Sequence, residues 1–468
     1  MRYISTRGAA PVLDFEGALL AGLARDGGLY LPETWPQFSS DEIRAMRGLS
    51  YQELAVRIMT PYVDGAMSEA ELTDLVTDAY RDFDHAAIAP LKQLDGSLWF
   101  MELFHGPTLA FKDYPLQFLG RAFDHVLARR GRRVTIVGAT SGDTGSAAIE
   151  ACRDRDAIDI FMLYPNGRVS EVQRRQMTTV DAANVHALAI EGTFDDCQDL
   201  VKAMFNDTPF RDDMDLSAVN SINWSRIMAQ IVYYFHAALS LGAPDVAVQF
   251  SVPSGNFGNV FAAYAARQMG LPVDQLIIGT NVNDILTRFF DSGVLETAPV
   301  KPTISPSMDI QISSNFERLL FDLYDRDGGL LNEAMEKFRT EGRLAVGDNR
   351  WQQVKSLFVA RRIDDARTRE EIDRVYKETG ELIDPHSAIG VAAARDARRD
   401  VKLPTIALGA AHPAKFPDVV EDASGVFAPL PHRLADLYER QEHFTVLPND
   451  LAQVQAFVRD HAKSGAAA

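Results

Sequence analysis

From about residue 95 onward, short apolar runs alternate with amphipathic stretches of helical period, and this alternation constrains the fold most strongly. The runs that we predict as strands are Val134–Val137, Asp159–Leu163, His186–Ile190, Val246–Val252, Gln275–Gly279 and Thr405–Leu408. Helices are predicted after several of them, at Ser146–Arg153, Phe194–Phe205 and Val260–Gln268. Apolar strands separated by helices are typical of α/β proteins with a parallel sheet buried on both faces. Ligands of such sheets bind at the carboxyl ends of the strands, so the loops there are the candidate sites.

The remaining regions differ from this pattern and predict a division of the chain. The predicted segments are a mainly helical N-terminal domain at 1–92, an α/β core at 93–280, a helical insertion or subdomain at 281–380, and a C-terminal part completing the core at 381–468. In the first segment, helical periodicity is clearest around 41–60 and 68–83. Several domains are expected because single cores stop growing at about 250–300 residues.

Charge and composition exclude several classes of protein. The net charge is −18, which disfavours nucleic acids and anionic membranes as partners. We expect no membrane span, because there is no run of about 18 apolar residues, and no signal peptide, because Asp14 and Glu16 interrupt the early apolar stretch. The two cysteines, Cys152 and Cys197, have no metal-ligand spacing, so no metal is expected. These features predict a cytoplasmic enzyme with reduced cysteines and do not exclude an anionic small molecule as substrate.

Lys112 is the first candidate for chemistry, because it ends an aromatic segment that glycine and proline interrupt. A desolvated lysine loses its proton more easily, and its neutral amine can then form a Schiff base. A lysine that extends to solvent is the structural alternative. Lys415, which follows His412 and Pro413, is a rival by the same local argument.

The loop at Ser254–Asn259 is the second candidate, because it lies between a predicted strand and a predicted helix. Its two glycines let the main chain approach an anion, and the N–H groups of the helix start can bind a phosphate. It matches neither the dinucleotide fingerprint nor the P-loop, so a nicotinamide dehydrogenase is disfavoured. A simple turn between strand and helix remains the alternative.

Two further loops carry polar groups. Thr140–Ser146 offers hydroxyl and N–H groups to a carboxylate or a second phosphate, although an ordinary helix cap explains the same residues. Asn220–Arg226 precedes an apolar helix, and Asn223 with Arg226 could bind a phosphate. The alternative there is a capped helix with an exposed arginine.

Taken together and in this order, these segments resemble the threonine synthase family, in its longer form with an extra N-terminal region. The resemblance covers nearly the whole chain. It is carried by Tyr3–Gly8, Asp26–Tyr30, Phe104–Asp113, Thr140–Gly145, Asn220–Arg226, Gly255–Asn259 and Ala411–Phe416.

The resemblance implies a fold-type II pyridoxal 5'-phosphate enzyme with parallel or mixed sheets flanked by helices. It makes Lys112 the Schiff-base and catalytic residue, so that Lys415 loses this role. The other cofactor-binding residues implied are Gly255, Asn256, Phe257, Gly258, Asn259 and Ala410. Substrate binding is implied for Ser141, Asp143, Thr144, Asn223 and Arg226, with Ser141 and Thr144 facing the carboxylate. Ala410 departs from the family, which usually has a threonine beside the pyridine nitrogen.

The implied activity is that of a lyase in threonine biosynthesis, which converts O-phospho-L-homoserine and water to L-threonine and phosphate. We expect a monomer or homodimer. One alternative is another fold-type II enzyme such as a serine or threonine dehydratase, which would need no second phosphate site. The other is a catalytically inactive protein that binds pyridoxal phosphate or another ligand, an alternative to which only Ala410 points.

Overall fold

A computed structural model describes residues 1–218 and 220–463. The chain forms two compact units. The first unit consists of Met1–Phe111 and Ser221–Ala428, and the second consists of Lys112–Asn220 and Pro429–Ala468. The division into four segments predicted from the sequence runs along the chain and stays a prediction, whereas the two units are a division in space.

The secondary structure alternates between helices and strands over most of the chain. The helices are α1 (Phe15–Ala21), α2 (Ser40–Ala45), α3 (Tyr51–Val63), α4 (Glu69–Ala79), α5 (Asp113–Arg129), α6 (Asp143–Cys152), α7 (Glu171–Thr178), α8 (Phe194–Asn206), α9 (Thr208–Asp213), α10 (Trp224–Ser240), α11 (Gly258–Gln268), α12 (Ile285–Ser292), α13 (Phe316–Leu323), α14 (Gly328–Glu341), α15 (Asp348–Lys355), α16 (Asp365–Thr379), α17 (Pro385–Ala397), α18 (Pro417–Ser424) and α19 (Leu451–His461). The strands are β1 (Tyr3–Ser5), β2 (Tyr30–Pro32), β3 (Leu91–Gln93), β4 (Leu98–Glu102), β5 (Val134–Ala139), β6 (Ile158–Pro165), β7 (Val185–Glu191), β8 (Leu216–Ser217), β9 (Val248–Pro253), β10 (Val273–Thr280), β11 (Val294–Glu296), β12 (Arg343–Ala345), β13 (Phe358–Arg362), β14 (Thr405–Gly409) and β15 (Thr445–Pro448).

The first unit is built on a mixed sheet with the strand order β13-β10-β9-β14-β4-β3. All neighbouring strands in it are parallel except β3 and β4. Helix α17 packs across β9, β10 and β14, and it brings small residues such as Ala388, Gly390 and Ala392 to the sheet. This close packing places the start of α17 beside the carboxyl end of β14.

The second unit is built on a parallel sheet with the strand order β15-β7-β6-β5-β8. Strand β6 is buried along its whole length, as expected for a strand covered on both faces. One core cluster joins the sheet to α8 and α19 through residues that include Phe161, Leu188, Met204 and Val458. Among the described residues, none of the helices combines the length and the apolar character that a bilayer crossing needs.

The predicted α/β fold class is confirmed, and the structure contains each of the six predicted strands with small shifts at their ends. Two details differ from the sequence patterns. The periodic stretch at 41–60 holds two helices, α2 and α3, because the chain turns between them at Gly48 with φ +83°. The predicted helical region at 281–380 also contains strands, and β13 pairs in parallel with β10 in the main sheet.

Buried polar pairs fix the N-terminal strands within the first unit. The Arg7 guanidinium contacts both oxygens of Glu317 at 3.1 Å, and the Thr6 hydroxyl donates to the same carboxylate at 2.6 Å. The next residue, Arg318, is fully buried and donates to the main-chain oxygen of Tyr30 at 2.8 Å. Burial lowers the pKa of Arg318 to about 9. Residues at the start of the chain are therefore joined to helix α13.

Helices α5 and α6 approach closely at Gly120, where an added Cβ would lie 2.3 Å from the main-chain oxygen of Ala151. We predict that Gly120→Ala lowers the free energy of unfolding by about 1–3 kcal/mol, because overpacking forces the two helices apart. The midpoint of urea unfolding is measured for each variant. Gly96→Ala is the control, since nothing lies within 4 Å of a Cβ there. Equal midpoints for both variants would contradict the prediction.

Candidate active site

Lys112 immediately precedes helix α5 and is buried, with 8% of its surface exposed. Its Nζ donates to Oδ2 of Asp143 at 3.3 Å. The other oxygen of Asp143 accepts from Nε2 of Gln173 at 2.9 Å. The second unit therefore brings together two predicted site residues, Lys112 and Asp143. Gln173 was missed, because a glutamine on a helix 30 residues further along gives no sequence signal of such a contact.

At the start of helix α6, the residue that caps the helix is not one of the residues predicted to bind substrate. Oγ1 of Thr140 accepts from the N–H groups of Gly142 and Gly145, at 3.0 and 2.8 Å. Thr140, rather than Ser141 or Thr144, thus supplies the capping hydroxyl. Ser141 is exposed and Thr144 is half-buried. Their role as ligands of a substrate carboxylate stays a prediction.

The glycine loop, Ser254–Asn259, joins β9 to α11 in the first unit. Its Phe257 is left-handed, with φ +61°, and donates its N–H to Oγ of Ser254 at 3.1 Å. A left-handed non-glycine residue costs about 1–2 kcal/mol and is found mostly at functional sites. Within the described part of the chain, no side chain caps α11. The first turn of α11 therefore has the N–H donors and the dipole that bind a phosphate.

A polar segment at 303–315 supports the glycine loop from behind. Oγ of Ser313 donates to the main-chain oxygen of Gly255 at 2.7 Å, and the N–H of Asn315 donates to that of Asn256 at 3.1 Å. An added Cβ on Gly255 would lie 3.0 Å from Ile310 Cδ1. We missed this segment in the sequence, where the only signal is a run of serine, asparagine and aspartate without helical period.

Asp309 holds that polar segment together. Its carboxylate accepts from Asn281 at 2.8 Å, from Asn283 at 3.0 Å, and from the hydroxyl of Thr303 at 2.7 Å. Burial raises the pKa of Asp309, and these hydrogen bonds oppose the rise. The support of the glycine loop therefore depends on a buried polar network.

Asn259 anchors the start of α11 to α10. Its Oδ1 accepts from the hydroxyls of Tyr233 and Tyr234, and the Tyr234 hydroxyl also donates to the main-chain oxygen of Asn259 at 2.9 Å. Burial raises the pKa of both tyrosines, so that they stay neutral donors. A direct contact of Asn259 with a cofactor stays a prediction.

Asn223 and Arg226 lie at the start of α10 in different environments. Asn223 is fully buried; its side chain accepts from the N–H of Ser225 at 3.0 Å and donates to the main-chain oxygen of Leu19 at 2.8 Å. Arg226 is only 5% exposed, so the alternative of an exposed arginine is wrong. Among the described residues, its Nη1 has no hydrogen-bond partner. Burial lowers the pKa of Arg226 to about 10, which leaves the guanidinium charged at neutral pH.

At the carboxyl end of β14, the main chain of Ala410 is hydrogen-bonded on both sides. Its N–H donates to Oγ of Ser387 at 2.8 Å, and its oxygen accepts from the N–H of Phe111 at 2.8 Å. Lys415 is fully buried and donates from Nζ to the main-chain oxygen of Thr108 at 2.7 Å. The rival lysine is therefore bound to the main chain of the pre-lysine loop, Gly106–Phe111.

Each unit by itself holds groups of the kind that bind an aldehyde or a phosphate. The second unit supplies a buried amine beside a carboxylate, and the first unit supplies a glycine loop at an uncapped helix start. These are the groups that bind pyridoxal phosphate in the enzymes that use it.

Comparison with known proteins agrees with this class. Residues 84–345 match the family model for pyridoxal-phosphate-dependent enzymes, and the chain is such an enzyme, of fold type II. Residues 2–80 and 387–458 match the models for the N terminus and the C-terminal part of threonine synthase. The chain belongs to the threonine synthase family.

Individual relatives cover almost the whole chain. The threonine synthase of Pseudomonas aeruginosa is 59% identical over 99% of both chains. The Saccharomyces cerevisiae threonine synthase is 42% identical over 91% of this chain and 90% of its own. A crystal structure of pyridoxal-phosphate-bound threonine synthase from Brucella melitensis matches with a TM-score of 0.98 and 56% identity, covering 99% of this chain and all of that one.

A side chain at position 255 would disturb the glycine loop. We predict that Gly255→Ala raises the dissociation constant for pyridoxal phosphate about tenfold, equivalent to about 1.4 kcal/mol, because the added Cβ meets Ile310 and shifts the loop. Fluorescence titration of the apoprotein measures this dissociation constant. Gly329→Ala is the control, since it adds a methyl group at an exposed helix start. Unchanged affinity in Gly255→Ala would contradict the assignment of the loop.

Proposed function

We propose that this chain is a lyase of threonine biosynthesis that converts O-phospho-L-homoserine and water to L-threonine and phosphate. The observation that carries the proposal is the buried guanidinium of Arg226, whose Nη1 has no partner among the described residues. An unpaired buried charge is costly, and a phosphate is an anion that a guanidinium can bind through two parallel hydrogen bonds. A substrate with its own phosphate explains why such a cation is retained.

Pyridoxal phosphate, when bound, supplies the electron sink that stabilises negative charge at the substrate Cα. Lys112 would hold the aldehyde of the cofactor. Its amine takes the proton from the substrate Cα and returns one there at the end of the reaction. Proton transfer by a positioned side chain contributes about 10²–10⁴ in rate. Asp143, 3.3 Å from Nζ, stabilises Lys112 while it carries the proton.

The other residues orient the reactants and exclude water. Ser141 and Thr144 bind the substrate carboxylate. Arg226 binds the substrate phosphate, with Asn223 holding the helix start from which Arg226 extends. Gly255–Asn259 would bind the cofactor phosphate, and Ala410 would contribute to cofactor binding. Fixing the two phosphates and the carboxylate aligns the Cα–H bond for removal.

Two alternatives are compared with the proposed lyase. A serine or threonine dehydratase has no second phosphate to bind, so the buried Arg226 would lack a ligand. An inactive binding protein could hold the cofactor through Lys112 as well, and phosphate release from O-phosphohomoserine distinguishes it from the enzyme. The expected cytoplasmic location and the monomeric or homodimeric state stay predictions.

Substitution of the lysine tests the covalent role. We predict that Lys112→Ala loses the absorbance of the covalently held cofactor and that phosphate release from O-phosphohomoserine falls by at least ~10²-fold. Lys202→Met is the control: it removes an exposed lysine amine on α8 and should leave the covalent bond intact. A yellow, active Lys112→Ala protein would overturn the assignment.

Substitution of the arginine separates the proposal from a dehydratase. We predict that Arg226→Lys raises KM for O-phosphohomoserine about 10- to 100-fold, because a lysine cannot form the paired hydrogen bonds of a guanidinium, which are worth about 1.5–3 kcal/mol. Phosphate release at varied substrate concentration measures it. Arg121→Lys is the matched control, since buried Arg121 donates to both oxygens of Gln117. An unchanged KM, together with turnover of serine, would favour the dehydratase.

A further inference from the structure

Asp384 caps helix α17 and is fully buried. Its carboxylate accepts from the N–H and Nδ1 of His386 at 3.0 and 2.7 Å, from the N–H and hydroxyl of Ser387, the N–H at 3.1 Å, and from the N–H of Ala411 at 3.4 Å. A helix cap needs only one or two of these bonds. The remaining donors belong to groups that lead away from the helix in two directions.

The first direction leads to the lysine. Ser387 donates its hydroxyl to Asp384, and its oxygen accepts the N–H of Ala410 at 2.8 Å. The main-chain oxygen of Ala410 in turn accepts the N–H of Phe111 at 2.8 Å, and Phe111 is joined by its peptide bond to Lys112. The pre-lysine loop is strained at its centre, where Leu109 has φ +62°, so it needs such external bonds to keep its shape.

The second direction leads to the glycine loop. Nε2 of His386 accepts the N–H of Ser307 at 3.2 Å, so the ring proton is on Nδ1 and points at Asp384. Asp384 therefore fixes the tautomer of His386. Ser307 precedes Met308, whose Cα would lie 3.2 Å from a Cβ on Gly255. The histidine thus holds the segment that limits the space behind the glycine loop.

We propose that Asp384 is a positioning residue for cofactor binding, which orients the loop before Lys112 through Ser387 and the glycine loop through His386. The inference rests on the proposed function, since it takes Lys112 and the glycine loop as the cofactor-binding groups. A carboxylate is required because all of its partners are donors. An asparagine at 384 would turn an N–H group toward the donors of either Ser387 or His386. The hydrogen bonds on that side would then be lost.

The contacts made through Ser387 and those made through His386 can be tested separately with two aldehydes. Pyridoxal and pyridoxal phosphate are added to the full-length apoprotein, and covalent attachment is followed by borohydride trapping, with affinity measured by fluorescence. Ser387→Ala is expected to slow attachment of both aldehydes about tenfold. It should leave unchanged the ratio of the affinity for pyridoxal phosphate to the affinity for pyridoxal. His386→Phe is expected to lower that ratio about tenfold and to leave the attachment rate of pyridoxal unchanged. Asp384→Asn should show the effect of whichever side its amide group faces, and Ser387→Thr should restore attachment.

The controls decide between positioning and general damage. Ser424→Ala removes a serine hydroxyl that donates to the main-chain oxygen of Val420 within helix α18, at 2.7 Å, and should match the wild type. If Ser387→Ala and His386→Phe change both quantities equally, or neither, the inference is overturned. If Asp384→Asn does not fold, the Ser387→Ala and His386→Phe variants still test the inference. A wild-type protein that attaches neither aldehyde refutes the proposed function itself, and the inference with it.

Discussion

Buried polar groups at the strand ends must be paired, and the way they are paired determines which groups remain for ligands. The oxygens of Asp384 accept from side chains and main chain on two sides, and the Asn259 side-chain oxygen accepts from two tyrosines. By contrast, the Arg226 Nη1 has no protein partner among the described residues, and none of their side chains caps α11. Both of these are donors, one of them charged. Donors of this kind attract anions, although the whole protein carries a net charge of −18.

The same requirement explains why the first 30 residues carry part of the family resemblance. Thr6 and Arg7 are bound to Glu317, and the main-chain oxygen of Tyr30 accepts from Arg318. Two residues before Glu317, the main-chain N–H of Asn315 binds the glycine loop. The N-terminal strands thus hold the start of α13 on one side while the glycine loop is bound on the other. Their polar residues are needed for a loop more than 200 positions away.

The sequence predicted those parts of the fold that depend on local pattern. Strand β6 was recognisable because it is apolar along its whole length, and Lys112 because of its aromatic neighbours. Strand β13 was missed because it lies in a charged region and becomes a strand only by pairing with β10. Likewise, neither Gln173 nor Asp384 differs in sequence from an ordinary surface residue or helix cap. Their contacts join residues that are distant along the chain, and no local spacing encodes such contacts.

Ala410 shows how a departure from the family pattern can be tolerated. Both main-chain groups of this residue are hydrogen-bonded, to Ser387 and to Phe111, and neither bond involves its side chain. Replacing a threonine by alanine therefore leaves the path of the strand end, and with it the pre-lysine loop, unchanged. What the alanine lacks is the threonine hydroxyl. In a fold type whose pyridine nitrogen needs no acidic partner, the position of Lys112 matters more than that hydroxyl. The main chain at 410 preserves that position, so Ala410 by itself gives no reason to regard the chain as inactive.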